Sequence, residues 1–308
     1  MKFWVGITDN EWFDYLSRLS PEEVNFWQPS GNLKFRAIQT GGLFLFKLHS
    51  PLNYITGGGF FVSYSQLPIS IAWEAFGEKN GAPSYEMLRA RILKYRESSG
   101  RHELDPMIGC IVLTSPFFFT EHDWIPAPKD WRPNIVQGKT YDSSEPEGAS
   151  LWSAVQERIT NKTGTEHNLI AMRETTPYGS EYLIRARLGQ GAFRVLVTEA
   201  YNRRCGITGE RTLPALEAAH IKPYSNTGPN TTNNGLLLRS DIHRLFDLGY
   251  LTITNDFHVE VSKRIKEEYE NGREYYAFHG KELKVPSKLA DYPSRDYIEW
   301  HNQNIYVP

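Results

Sequence analysis

The stretch from Glu217 to Gly249, EAAHIKPYSNTGPNTTNNGLLLRSDIHRLFDLG, leaves little choice of local fold. A short apolar run ends at His220. A segment crowded with turn formers follows, including Pro223, Ser225, Asn226, Gly228, Pro229 and Asn230. From Asn234 onward, Leu236, Leu237, His243, Leu245 and Phe246 give a compact helical pattern. The expected order is strand, long turn, strand remnant, helix. It puts His220 at the strand end, Asn234 where the helix begins and His243 nine residues later. Asp247 lies four residues beyond His243, so the two side chains share one helix face.

That set of side chains suits phosphodiester hydrolysis. An imidazole fixed on a strand can take a proton from water, because its ordinary pKa lies near neutrality. A His and a carboxylate one helical turn apart can hold a divalent cation and leave positions open for phosphate oxygens and water. An Asn at a turn can bond backbone groups and fix the loop that aims the base.

The stretch resembles the HNH family of nucleases, with its ββα-metal finger. The matching residues are His220 in AHIKP, Asn234 in NNGLLL and His243 in DIHRLF. The resemblance implies that His220 is the general base, Asn234 braces the loop and His243 is a metal ligand. Asp247 stands where some members carry a further metal-binding His. Two features depart from the pattern. Many members have Asp or His directly before the first motif His, where this chain has Ala219. Glu217 shares the strand face of Ala219 and is placed to substitute. Many members also carry paired CxxC zinc clips. Here Cys205 begins CGIT with no second Cys nearby, so no structural zinc is expected. The cofactor expected is one divalent ion, Mg2+ or Mn2+, since a mixed imidazole and carboxylate site does not choose sharply among divalent metals.

At 308 residues the chain is long enough for two domains. A net charge of -2 excludes a globally basic nucleic-acid binder, so any affinity for DNA must come from local patches. Only Cys110 and Cys205 are present, which argues against a disulfide-built secreted protein and suits a reducing cytosol. The N-terminus reaches Asp9 and Asn10 too soon for a signal peptide, and no apolar run is long enough to span a membrane. A cytoplasmic protein is expected.

The class expected is α+β, with a curved sheet or barrel over residues 1–140. This part resembles the PUA superfamily of small barrels, which includes the SRA and EVE modules. The resemblance rests on FWVGIT at the first strand, on FLFKLHSP, and on GGGFFVSYS followed by LPISIAWEAFG. It implies a module that flips a modified base into an aromatic pocket, at a cost that stacking and edge hydrogen bonds must offset. Candidate pocket residues are Trp4, Trp27, Phe60, Tyr64 and Trp73, with Asp9 or Asn10 for edge recognition. An aromatic in a strand or short helix is more often plain core, and Trp27 and Trp73, beside polar or turn residues, are the better candidates.

Residues 141–180 read as a polar linker containing a short helix, LWSAVQERI, and residues 181–308 as the HNH domain. At the head of that domain Arg185, Arg187, Arg194, Arg203 and Arg204 crowd a short span. Arg185, Arg187, Arg194 and Arg204, with Lys222 in the finger, are the expected phosphate contacts. His301-Asn302 resembles a motif fragment but sits in no finger-like context and reads as structural.

The expectation is a metal-dependent endonuclease acting on double-stranded DNA that carries modified cytosine, as in restriction of phage. One finger cuts one strand, so a double-strand break needs a homodimer or two independent events. Two alternatives stay open at this point. One is a weakened HNH-fold protein that only binds modified DNA or RNA, favoured by Ala219. The other is an HNH nuclease acting on unmodified DNA.

Overall fold

The computed structural model of the protein describes residues 1–31, 34–96, 103–162 and 188–308. The chain divides into two compact units, Met1–Gly189 and Gln190–Pro308. Among the described residues no helix is long and apolar enough to cross a membrane.

The first unit runs β1 (Lys2–Thr8), α1 (Asn10–Leu19), β2 (Glu23–Gln28), β3 (Leu43–Leu48), β4 (Tyr54–Pro68), α2 (Ile69–Phe76), α3 (Tyr85–Lys94), β5 (Met107–Phe118), β6 (Ile125–Pro126), β7 (Gly138–Asp142) and α4 (Pro146–Lys162). One sheet takes the order β2-β5-β4-β3-β1-β7, with β6 on β4. The β1 and β3 strands are parallel and the other pairs antiparallel. With the helices this is the expected α+β class. The register between β4 and β5 shifts twice, at Gly58/Phe60 and Phe61/Ser63. Such bulges bend and twist a long strand pair and so curve the sheet.

Asp9 caps α1 by accepting from the Trp12 amide at 2.8 Å, where the sequence allows either Asp9 or Asn10. The apolar face of α1 then buries Trp12, Phe13 and Leu16. Trp12 meets Phe26 and Phe46 edge-on, at 5.5 and 5.1 Å between ring centres. The sequence VNFWQPSG suggests only an approach to a turn, yet Glu23–Gln28 is a full strand because all six residues pair with β5. The helix expected within a linker differs too. As α4 it buries Leu151, Val155 and Ile159, a stripe at four-residue spacing, so it belongs to the first unit.

The second unit holds α5 (Gln190–Ala200), β8 (Leu216–His220), β9 (Gly235–Arg239), α6 (Ser240–Asp247), β10 (Leu251–Ile253), β11 (Val259–Val261), α7 (Arg264–Tyr269), α8 (Arg273–Tyr276) and α9 (Arg295–Asn304). The finger is β8, β9 and α6. Its helix starts at Ser240, not at Asn234. Leu236, Leu237 and Leu238 pair with β8 instead, and all three are buried, which an amphipathic helix could not achieve. Asn234 ends a tight 3-10 turn just before β9. The start of α6 is secured by a bidentate contact of Arg239 to Asp241, at 2.6 and 2.7 Å.

The C-terminal helix α9 completes this core through His301. Its ring stacks on Phe246 of α6, 3.8 Å between centres and 11° from parallel. Nε2 donates to the Phe246 carbonyl at 3.1 Å, and Nδ1 lies 2.8 Å from the Thr252 hydroxyl. The residue is structural, as the sequence suggests. Burial pulls its pKa down to about 4, with the Phe246 carbonyl opposing. The unfolded chain therefore binds this proton first, near the ordinary histidine value of about 6.5. The stability tied to neutral His301 is complete above that pH and drains away as pH falls towards 4. The expected loss is about 3 kcal/mol, less whatever residual structure persists on unfolding. Urea unfolding between pH 7 and 4 should show it, and His301→Gln should flatten that slope relative to the parent.

Candidate active site

The cleft on the finger is lined by Ala218, His220, Tyr224, His243 and Asp247, with a volume of about 310 Å3. Strand alternation brings Ala218 and His220 of β8 to it. Ala219 faces the other way, fully buried and paired with Leu236.

The ring of His220 lies flat on Phe193 of α5, 3.8 Å between centres and 13° from parallel. Its Nε2 is 2.9 Å from Asn230 Oδ1. Nδ1 has no hydrogen-bond partner among the described residues. Burial lowers the pKa of His220, with the Asn230 contact opposing, so the neutral base form persists to lower pH than in a free histidine.

Asn234 is fully buried and spends its whole amide on the loop. Its Oδ1 accepts from the Lys222 amide at 2.9 Å, and its Nδ2 donates to the carbonyls of Lys222 and Pro229 at 2.9 and 3.0 Å. The loop passes so close at Gly228 that a Cβ there would stand 1.8 Å from the Lys222 carbonyl oxygen.

His243 Nδ1 lies 2.6 Å from Glu217 Oε2, and its Nε2 lies 3.3 Å from Asp247 Oδ2. A carboxylate can only accept, so Nδ1–H donates to Glu217, and Nε2 is the ring nitrogen beside Asp247. Burial raises the pKa of Asp247; the His243 charge opposes this and Glu217 adds to it. Among the described residues no group of three or more His, Cys, Asp or Glu is arranged to hold a metal ion. The residues do fit a cation held by two protein ligands. Nε2 and an Asp247 oxygen stand 3.3 Å apart, and a cation could take the place of a proton between them. Behind them Glu217 orients the imidazole, an arrangement common to metal-ligating histidines. Glu217 thus meets His243, the contact through which it bears on the cleft.

Lys222 extends from this loop, its Nζ 5.6 Å from the centre of the Trp300 ring. Arg204 is exposed and Arg194 half-buried on α5. Arg185 and Arg187 lie outside the described residues.

Residues 205–254 match the model of the HNH endonuclease family HNH_2. The chain carries an HNH endonuclease domain. It is therefore a nuclease, with the paired strands and helix of the finger at the centre of the match. Comparison with curated proteins finds no match. Among solved structures, one similar chain is the ASCH protein of Zymomonas mobilis. It is 12% identical with a TM-score of 0.32, over 48% of this chain and 94% of that one. Another is the modification dependent TagI restriction endonuclease, 14% identical with a TM-score of 0.27, over 92% of this chain and 75% of that one.

The first unit has a cavity of its own, of about 320 Å3, whose lining includes Asp9, Trp27, Gln28, His49, Tyr95 and Val136. Asp9 Oδ2 accepts from the Tyr95 hydroxyl at 2.7 Å. Tyr95 lies between Trp27 and His49, at 6.0 and 6.2 Å between ring centres. Burial and Asp9 raise the Tyr95 pKa, while burial, opposed by Asp9 and aided by Lys47, lowers that of His49. Trp27 is anchored by its Nε1 on the Asn80 carbonyl at 3.0 Å.

Of the residues expected to line a base pocket, Asp9 and Trp27 are here. Asn10 stands beside them, its Oδ1 accepting from the His49 amide at 3.1 Å. Trp4, Phe60, Tyr64 and Trp73 do not line this cavity. Trp4 lies three residues back along β1 from the cavity residue Ile7 and packs edge-on against Phe35 at 5.5 Å. Phe60 and Tyr64 belong to the middle of β4, paired with Thr114 and Ile111, and Trp73 lies half-buried on α2. His49 and Tyr95 escape sequence reading, because only the turn after β3 and the end of α3 bring them to Trp27 and Gln28 of β2.

Removing the Asn234 amide should strip three bonds from buried backbone groups. Asn234→Ala is expected to cost about 2–4 kcal/mol. Thermal and urea unfolding measure that directly, and an unchanged melting temperature would refute the bracing role.

Proposed function

We propose that the protein is a divalent-metal-dependent DNA endonuclease that cuts double-stranded DNA carrying a modified cytosine. One observation carries the cutting half of this reading. Within the HNH-matched segment, a partner-free imidazole nitrogen of His220 shares one cleft with the His243 and Asp247 pair. His220 takes the proton of the attacking water. Burial suits it to that work, because it is uncharged and ready to accept near neutral pH. Asn234 keeps the loop, and with it the base, in place. His243 Nε2 and Asp247 would hold one Mg2+ or Mn2+. When bound, the ion supplies positive charge to the phosphate and to the leaving oxygen. Two protein ligands suit such an ion, which commonly keeps waters and phosphate oxygens in its remaining positions. Lys222 and the arginines Arg194 and Arg204 would contact phosphate, with Arg185 and Arg187 assigned to the same role from sequence alone.

The reading half rests on the cavity of the first unit. Its size falls in the range of small-molecule sites, and it combines aromatic rings with a carboxylate and amides, the mixture that stacks a flipped base and bonds its edge. Trp27 and Tyr95 offer ring faces, and Asp9 is the edge acceptor.

Cleavage of matched duplexes carrying cytosine, 5-methylcytosine, 5-hydroxymethylcytosine or glucosylated cytosine tests both halves, with Mn2+ or Mg2+ present. Selective cutting of one modified duplex is expected. Equal cutting of all four would keep the nuclease and remove the base reader. In the same assay His220→Ala should lose at least about 100-fold in rate while still binding the preferred duplex. Undiminished cutting by that variant would remove His220 as the base.

A further inference from the structure

We propose that Asn230 is the positioning residue of the base: it fixes the tautomer and direction of the His220 ring, so that water is deprotonated at Nδ1. This rests on His220 being the base.

The argument begins with what each atom can do. An amide oxygen only accepts hydrogen bonds. With Asn230 Oδ1 2.9 Å away, Nε2 must carry the ring proton, and Nδ1 is left with the lone pair. Nδ1 is also the nitrogen with no partner among the described residues. Stacking on Phe193 fixes the plane of the ring. A half-turn about the Cβ–Cγ bond would keep that plane, so the bond to Asn230 is what selects the ring's orientation within it. Asn230 is itself nine-tenths buried and sits in the loop that Asn234 closes through the Pro229 carbonyl. The acceptor is therefore carried next to a braced position of the loop.

The geometry also suits the charge that develops. When Nδ1 takes the water proton the ring becomes an imidazolium. Its Nε2–H then makes a charge-assisted bond to the Asn230 oxygen, stronger than the neutral one. The water oxygen bonds to phosphorus, the bond from phosphorus to the leaving oxygen breaks, and that oxygen takes a proton from solvent. Asn230 stays neutral throughout, so it stabilises the charged ring without holding it charged beforehand. A carboxylate at the same place would do otherwise. The other charged groups whose fields reach His220 are His243 and Asp247, which act on its pKa in opposite directions.

The tautomer is read directly by 15N NMR of the histidine ring in the metal-free protein. The parent should show His220 protonated at Nε2 alone. Asn230→Ala should show a mixture of tautomers and lose on the order of 10–100-fold in kcat with little change in KM. Asn230→Asp retains an acceptor of the same shape. It should keep the Nε2–H tautomer, recover most of the rate lost in the alanine variant at high pH, and move the acid limb of the pH–rate profile upward. The proposal is overturned if Asn230→Ala keeps both the single tautomer and the parent rate. It is equally overturned if Asn230→Asp leaves the acid limb unmoved, a result available even should the alanine variant fail to fold. Undiminished cutting by His220→Ala would instead overturn the assignment of the base itself, with the tautomer result still standing as a structural fact.

Discussion

The finger depends on one buried amide. Between β8 and β9 the chain makes a long excursion rich in proline, glycine and asparagine, with no ladder of its own to hold it. Such a loop would otherwise sample many shapes. Asn234 replaces that freedom with a closed ring of bonds. It grips residue 222 through both amide and carbonyl and reaches Pro229 besides. What the loop carries is then fixed as a unit: Lys222 at one end, Asn230 at the other, and Gly228 where only a hydrogen fits. The side chains of the cleft come from elements that this clasp keeps in register.

Charge in the cleft is arranged by the same economy. His243 has a carboxylate at each ring nitrogen, yet the two do different work. Glu217 accepts from Nδ1–H, and Asp247 flanks the other nitrogen on the open side. Burial acts on the two flanks in opposite senses, lowering the pKa of His220 and raising that of Asp247. Both shifts favour the neutral form, which is the ordinary result of withdrawing ionisable groups from water. A cation entering the cleft would reverse the effect on Asp247 alone.

Much of this was legible in the sequence, and the rest was hidden for identifiable reasons. The spacing of His243 and Asp247 places both on one face of α6, a purely local consequence of helical geometry. The end of β8 at His220 is equally local. The start of the helix was not, because Leu236, Leu237 and Leu238 satisfy a helical pattern as well as a strand, and only pairing with β8 decides between them. Asn230 reads as one more turn former until its partner ten residues earlier is seen. The cavity of the first unit is harder still. Asp9 and Tyr95 meet across 86 residues of chain, a contact no periodicity announces. Aromatic content alone pointed as readily to Trp4 and Phe60, which the sheet uses elsewhere.

The match to the HNH model ends at residue 254, but the fold it describes does not. His301 arrives from α9 to cover the face of Phe246 and to cap its carbonyl, one residue before Asp247. The finger is therefore not a portable cassette. Transplanted alone, residues 205–254 would bring every side chain of the His243 cluster to a new scaffold, yet leave an aromatic ring bare and the last turn of its helix without its lock. Whatever shape a recipient gave that turn would decide where Asp247 points. Activity in a chimaera would then hinge on a contact that the motif itself does not contain.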